Sequence, residues 1–479
     1  MSDLNIVLFC EKPAPYLRLT TMSSVDVLDF PYRPDAEALF AEIRDLPNAI
    51  WLDSGKPRSL SGRFDIITAQ PNCVLETRGN ETRITTASAT HISGEDPFLL
   101  AQDLLNTSGA MEPSLSAYPF VGGLAGFFGY DLGRRIEALP DSLPKVDGFP
   151  DMHLGYYTWA LVLNHSSQKG WLIFQSNCSQ TLRADIKKRL KQAPEESSDP
   201  GYRSEYLFTP SATRDEYFDA ISKIKAYIRQ GDCYQVNLAR HYSAPFDGDS
   251  WTLYRQLRRV LPSPYSCYYQ WGDPQQAILS LSPERFLKLS MGQVESKPIK
   301  GTARRGKTVE EDQQNAIELM NSAKDRAENL MIVDLLRNDL GKTCEPGSIR
   351  VPKLFGLESF PNVHHLVSTV TGKLRGGESP LTLLRGCFPG GSITGAPKKR
   401  AMEIIEELES CRRSLYCGSI GYISATGRMD TNIAIRTLLA DAETLHCWGG
   451  GGIVADSVAE NEFQETLDKI RILIQSNGD

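Results

Sequence analysis

The sequence predicts a mixed α+β or layered α/β fold, and three observations predict it. Strand-like and helix-like stretches alternate in clumps rather than as regular βαβ units. The composition is that of an ordinary globular protein, 41% hydrophobic and 23% charged over 479 residues, enough chain for two domains or one large intertwined one. There is no internal repeat and no run of eighteen apolar residues, which excludes a solenoid and a membrane-spanning helix.

Charge and cysteine usage narrow the class. A formal charge of -7 without a basic tail argues against nucleic-acid binding. The ten cysteines show neither Cys-x-x-Cys nor Cys/His ligand spacing and read as reduced thiols. The apolar run at 6–10 is too short for a signal-peptide core. The expected compartment is the cytoplasm.

Taken in order, residues 36–46 read as a helix, 49–52 and 64–69 as strands, and Val121 to Tyr130 as a glycine-bearing strand region. Residues 159–163 and 171–175 read as a hairpin. A polar, Pro/Gly-bearing stretch from 193 is linker-like and sets a division into 1–192, a linker 193–212 and 213–479. Thr213 and Glu216 form a capping box that opens a helix ending at Gly231. Strands follow at 234–240, 265–271 and 277–281, a long helix at 309–339, a helix at 398–409, strands at 419–424, 432–439 and 445–448, and a last helix at 458–475.

Several residues carry chemistry. In Lys297-Pro298-Ile299-Lys300-Gly301-Thr302 a lysine sits at a tight corner; alone it reads as an exposed strand-end lysine. Asp325 and Glu328 are three apart on one predicted helix, Glu462 and Glu465 three apart on another, so each doublet shares a face. Such doublets are common on solvated helices, but four carboxylates without His or Cys suit a hard cation such as Mg²⁺. Gly449 to Gly452, placed between a strand and a helix, reads as an amide cradle for an anion, with Arg436 as a clamp. Gly390 to Lys398 looks like a phosphate loop but has Ala396 where lysine is required, which excludes Walker-type binding.

Ser282-Pro283-Glu284-Arg285-Phe286, Pro298-Ile299-Lys300-Gly301-Thr302, Asp325-Arg326-Ala327-Glu328-Asn329-Leu330, His364-His365-Leu366-Val367-Ser368, Gly395-Ala396-Pro397-Lys398 and Glu465-Thr466 resemble the chorismate-utilising enzymes. They occur in the family's order and spacing, and the likeness runs from about residue 213 to the C-terminus. The N-terminal part resembles the companion domain of the anthranilate synthase component I group. The resemblance implies a layered α/β/β/α sandwich of two intertwined subdomains. Gln235 stands where water-adding members carry a lysine, and Lys300 where anthranilate synthases usually carry alanine, so the chain is most similar to the aminodeoxychorismate branch.

The resemblance further implies roles. Lys300 is the nucleophile, Glu284 the general acid, and His365 lies by the ring; His364 reads as a packing or surface residue. Gln235, Gly301, Thr302, Tyr422, Arg436, Gly450, Gly451, Gly452 and Lys469 bind substrate. Mg²⁺ is held by Glu328 and Glu465 with Asp325 and Glu462 behind. Ammonia comes from a separate glutamine amidotransferase subunit in a heterodimer, since no cysteine here sits in a nucleophile elbow. Ser54, Ser61, Gly62, Arg63, Phe64, Pro264, Tyr265 and Ser266 resemble an effector pocket of L-tryptophan size. The rival expectations are anthranilate synthase component I and a non-catalytic tryptophan-binding regulatory subunit.

Overall fold

The computed structural model describes residues 24–109, 111–201, 206–272, 276–360 and 363–474. The apolar run at 6–10 and part of the 193–212 stretch lie outside them. Two twelve-stranded sheets pack face to face. A large apolar core containing Leu124, Tyr269, Leu287 and Trp448 fills the space between them. A second core, around Trp51, Trp159, Tyr254 and Leu473, lies under helices on the far side of the first sheet, and a third joins the helices Arg214–Gln230 and Lys398–Leu408 to the strand Gln235–Pro245. The architecture is the expected α+β layered sandwich.

Each sheet is built from both parts of the chain. In the first, Ile50–Asp53 pairs with Tyr265–Trp271; in the second, Gly123–Phe128 pairs with Ser419–Ser424. Glycines along Gly123–Phe128 let neighbouring backbones approach, as at Gly126, where an added Cβ would lie 2.1 Å from the His153 carbonyl on the strand Met152–Tyr157.

Most predicted elements appear within a residue or two, including the capping box at Thr213 and the left-handed Gly231 at the helix end. Four differ. The helix at 36–46 is only Glu37–Ala41. The 309–339 helix is two, Val309–Asn321 and Ala323–Gly341, broken at Ser322, which ends the first and caps the second by accepting from the Asp325 amide. The 432–439 strand splits into Met429–Asn432 and Thr437–Asp441 around Arg436, whose φ is +52°. The tetraglycine is no turn: it belongs to the strand Thr444–Ile453, paired throughout with Gln235–Pro245.

One buried ion pair joins the pieces that carry the site. Arg413 and Glu409 have side chains only 1% and 3% exposed. Arg413 donates to both Glu409 oxygens at 3.0 and 2.6 Å, to the Ile393 carbonyl at 2.9 Å and to the Asn237 carbonyl at 2.6 Å, and lies 4.8 Å from the Tyr130 ring centroid. Glu409 also accepts from the Ala239 amide. Removing the cation alone strands a buried carboxylate. Arg413→Ala is therefore expected to lower the unfolding free energy by about 3–5 kcal/mol, and the paired apolar replacement Arg413→Met/Glu409→Leu to recover much of it, read by denaturant unfolding.

Candidate active site

Lys300 leaves the strand Ile299–Arg304 at a bulge: Ile299 pairs with Val367 and Thr302 with His365, so one residue is extra on the lysine strand. Gly301 absorbs the bend with φ +85°, and a Cβ there would come within 3.0 Å of Asp325 and Leu319. The bulge aims Lys300 inward. Its Nζ donates to the Ser392 carbonyl at 3.0 Å and pairs with Glu328 Oε1 at 3.1 Å.

Glu284 faces the same space. Burial pushes its carboxyl up to about 7, against the pull of Lys300, so near neutrality it exists in both proton states, as a general acid requires. Ser392 Oγ donates to Glu284 Oε1 at 3.4 Å, so one serine touches the acid through its side chain and the lysine through its carbonyl. For Lys300, burial favours the neutral amine, but Glu328, Glu284 and Glu465 outweigh it and raise its pKa. In this state the lysine is an ammonium ion. Lys300 in turn outweighs the effect of burial on Glu328 and holds that carboxyl below its usual value.

The remaining walls follow from the same elements. Thr302 Oγ1 bonds to His365 Nδ1 at 2.9 Å, and burial together with Arg436 pushes His365 down to about 4, leaving a neutral ring. Arg436 holds a left-handed backbone conformation rare for its type, the kind of strain that collects at functional sites; burial lowers its pKa while Glu284 opposes that shift. Gln235 Nε2 donates to Glu328 Oε1 at 3.1 Å. Lys469 reaches the Gly450 carbonyl at 3.0 Å and Glu465 at 2.7 Å. His364 binds Ser359 Oγ and Asp312, pinning the helix Val309–Asn321, which is a packing role.

The carboxylates arrive from two helices. Asn329, fully buried and bonded to Leu366 and Ser368, fastens the helix Ala323–Gly341 to the strand Val363–Lys373. Glu462 accepts from Ser457 at 2.7 Å and lies 3.5 Å from Lys324. Oxygens of Glu462 and Glu465 each fall 3.6 Å from where a Cβ on Gly451 would sit, and Glu328 Oε1 lies 3.0 Å from one on Gly452. Among the described residues no three His, Cys, Asp or Glu side chains form a ready-made metal group; lysines and hydroxyls engage these oxygens. As a donor set, all carboxylate oxygen, they fit a hard divalent cation.

Two expectations change. The tetraglycine is part of a strand and not a turn: it pairs with Gln235–Pro245 on one edge, while on the other edge the ladder ends at Cys447 and the Gly450 carbonyl takes Lys469. A Cβ at Gly449, Gly450 or Gly452 would collide, as at Gly452, where it would lie 2.1 Å from Gln235 Nε2. Tyr422 is not brought to Lys300. It lines a second cavity with Ser61, Gly62, Arg63, Phe64, Pro264, Tyr265 and Ser266, and with Arg285 and Asp430. Ser54 stands behind that wall, its carbonyl 1.9 Å from a Cβ placed on Gly62 and its hydroxyl buried without a partner. Sequence reasoning missed Ser392. Its signal was the glycine-rich loop 390–398, of which only Gly395 to Lys398 entered the family likeness, while the stretch from Gly390 was weighed only as a phosphate loop.

The family described as chorismate binding enzyme matches residues 47–475. The aminodeoxychorismate synthase component 1 of Salmonella typhimurium is 46% identical over 452 residues, covering 94% of this chain and 98% of that protein. That of Escherichia coli is 44% identical over 451 residues, covering 94% and 98%. Among solved structures, anthranilate synthase component I from Streptococcus pneumoniae superposes with a TM-score of 0.77 at 33% identity, covering 87% of this chain and 93% of that one.

The proton on Glu284 gives a stability test. Its folded pKa lies above the ordinary 4.5. The stabilisation is therefore complete below about pH 4.5 and disappears as pH rises through about 7. Relative to Glu284→Gln, the wild type is expected to lose about 3 kcal/mol across that window in urea unfolding; a pH-independent difference would refute the buried acid.

Proposed function

The chain belongs to the chorismate binding enzyme family, and from that premise we propose that it aminates chorismate to 4-amino-4-deoxychorismate, on the route to 4-aminobenzoate and folate. The observation that carries this reading is Lys300 and Glu284 facing one space and bridged by Ser392. The 46% identical relative supports the same choice.

The residues divide the work as follows. Lys300 Nζ, once neutral, bonds to C2 of chorismate while the C4 hydroxyl leaves as water, taking its proton from Glu284. Ammonia nitrogen then bonds at C4, the C2–Nζ bond breaks, and its electron pair returns to Lys300. The new ammonium group gives a proton to Glu284, restoring both side chains. Arg436, Thr302, Lys469 and the Gly450–Gly452 backbone hold the substrate, and neutral His365 borders the ring. Glu328 and Glu465, with Asp325 and Glu462 behind, would hold Mg²⁺, which when bound supplies positive charge for a substrate carboxylate. Taking Glu328 for that purpose also removes the strongest influence holding the proton on Lys300.

A glutamine amidotransferase subunit supplies the ammonia in a heterodimer, a reading supported by relatives named component 1. The setting is the cytoplasm: the described cysteines are all free thiols, and no helix among the described residues is long and apolar enough to cross a membrane. The second cavity takes L-tryptophan: Asp430 suits an ammonium group, Arg63 and Arg428 a carboxylate, and Phe64 and Tyr422 an aromatic face.

Incubation with chorismate, MgCl₂ and ammonium chloride is expected to give an aminated product of chorismate mass less water plus ammonia, and a covalent adduct when ammonium is omitted. Lys300→Ala should form no adduct by intact mass. Anthranilate as the product would favour the anthranilate synthase reading instead. Calorimetry is expected to show tryptophan binding that Asp430→Asn weakens by about tenfold or more; no heat, with none retained on purification, would remove tryptophan from the account.

A further inference from the structure

Along the strand Gln235–Pro245, residues two apart share a face, so Gln235 and Asn237 project to the same side. That side is the site: Gln235 bonds Glu328 there, and directly opposite Asn237 in the ladder stands Gly452, which adds no side chain. Gln235 is 1% exposed and Asn237 6%. Yet Gln235 Oε1 and Asn237 Oδ1 are both buried without a hydrogen-bond partner. Buried acceptors are nearly always satisfied, and two orphans on the site face of one strand call for a ligand that donates.

We propose that Gln235 Oε1 and Asn237 Oδ1 together form the ammonia subsite. The inference rests on the amination reading and adds to it the place from which the nucleophile attacks. Ammonia can give one N–H to each amide oxygen and keep its lone pair free for carbon. The acceptors also discriminate. A carboxamide is too weak a base to take a proton, so water held here stays un-ionised and a poor nucleophile, while ammonia needs no deprotonation before it attacks. Ammonium is disfavoured beside the Lys300 cation, whose carboxylate partner, Glu328, is already shared with Gln235.

The test is steady-state kinetics of the chain with chorismate, MgCl₂ and ammonium chloride at fixed pH, with free ammonia calculated from total ammonium. Asn237→Ala is expected to raise KM for ammonia at least about tenfold while KM for chorismate moves less than about threefold. Asn237→Asp keeps an acceptor oxygen and is expected to stay within about threefold of wild type in KM for ammonia. An unchanged ammonia KM in Asn237→Ala, an equal rise in both KM values, or an Asp variant as impaired as the Ala variant would each overturn the subsite. Should Asn237→Ala not fold, Asn237→Ser, whose hydroxyl falls short of the Oδ1 position, is read by the same criteria. The outcomes separate: a wild type that yields no aminated product defeats the amination reading, whereas an active wild type with an indifferent Asn237 defeats only the subsite.

Discussion

The Arg413–Glu409 pair is the constraint on which the site depends. Its contacts reach three segments distant in sequence: hydrogen bonds join it to the Asn237 carbonyl and Ala239 amide on one strand and to the Ile393 carbonyl in the loop that roofs the site, and the guanidinium face stacks on the Tyr130 ring. Tyr130 and Asp131 close the same knot from the other part of the chain, the former donating its amide to the Ser414 carbonyl and the latter accepting the Ser414 amide. An apolar cluster could fill that volume at similar or greater stability. It would not supply the hydrogen bond to the Ile393 carbonyl, which together with the Asn237 amide on the Thr394 carbonyl sets the 390–394 loop over the strand and so brings Ser392 onto both Lys300 and Glu284.

Within the roofed space, charge is distributed by scarcity of oxygens. Glu328 Oε1 serves Lys300 and Gln235 at once, and Glu465 is held by Lys469. Lysine cations thus already engage the carboxylate oxygens that a divalent ion would need. Lysine protonation and carboxylate availability are therefore one equilibrium: freeing Glu328 from Lys300 weakens the hold on the lysine proton, while burial continues to favour the neutral amine. The physical state of the nucleophile is set by what else its carboxylate partner binds.

Much of this was legible in the chain. The capping box, the strand at 265–271, the last helix and the layered class follow from local periodicity and caps, and the motif residues Lys300, Glu284, Gln235, His365 and Glu328 do converge. What was not legible depends on pairing between distant segments. Four consecutive glycines look like a turn until a strand and carboxylate-bearing helices crowd them, at which point a Cβ would collide at Gly449, Gly450 and Gly452. The helical pattern at 309–339 hides a break because Ser322 is an acceptable helix residue as well as a good cap. The start of the 390–398 loop was weighed only against a phosphate loop, when its use lies in one serine whose partners are 92 and 108 residues away.

Tyr422 was misplaced for a related reason, and the cause says how the two cavities are joined. Glu284 and Arg285 are neighbours, and their side chains part company: Glu284 enters the space with Lys300, whereas Arg285 turns into the second cavity and forks onto Asp430 at 2.9 and 3.0 Å. Tyr422 pairs across the ladder with that same Asp430, on the Arg285 side of the wall. The Glu284 carbonyl is held by the Ile433 amide, one residue beyond Asn432, which lines the second cavity and donates to Tyr265. Consecutive residues of one strand start thus face the two cavities, so a shift of the Arg285–Asp430 fork acts directly on the backbone that carries the acid.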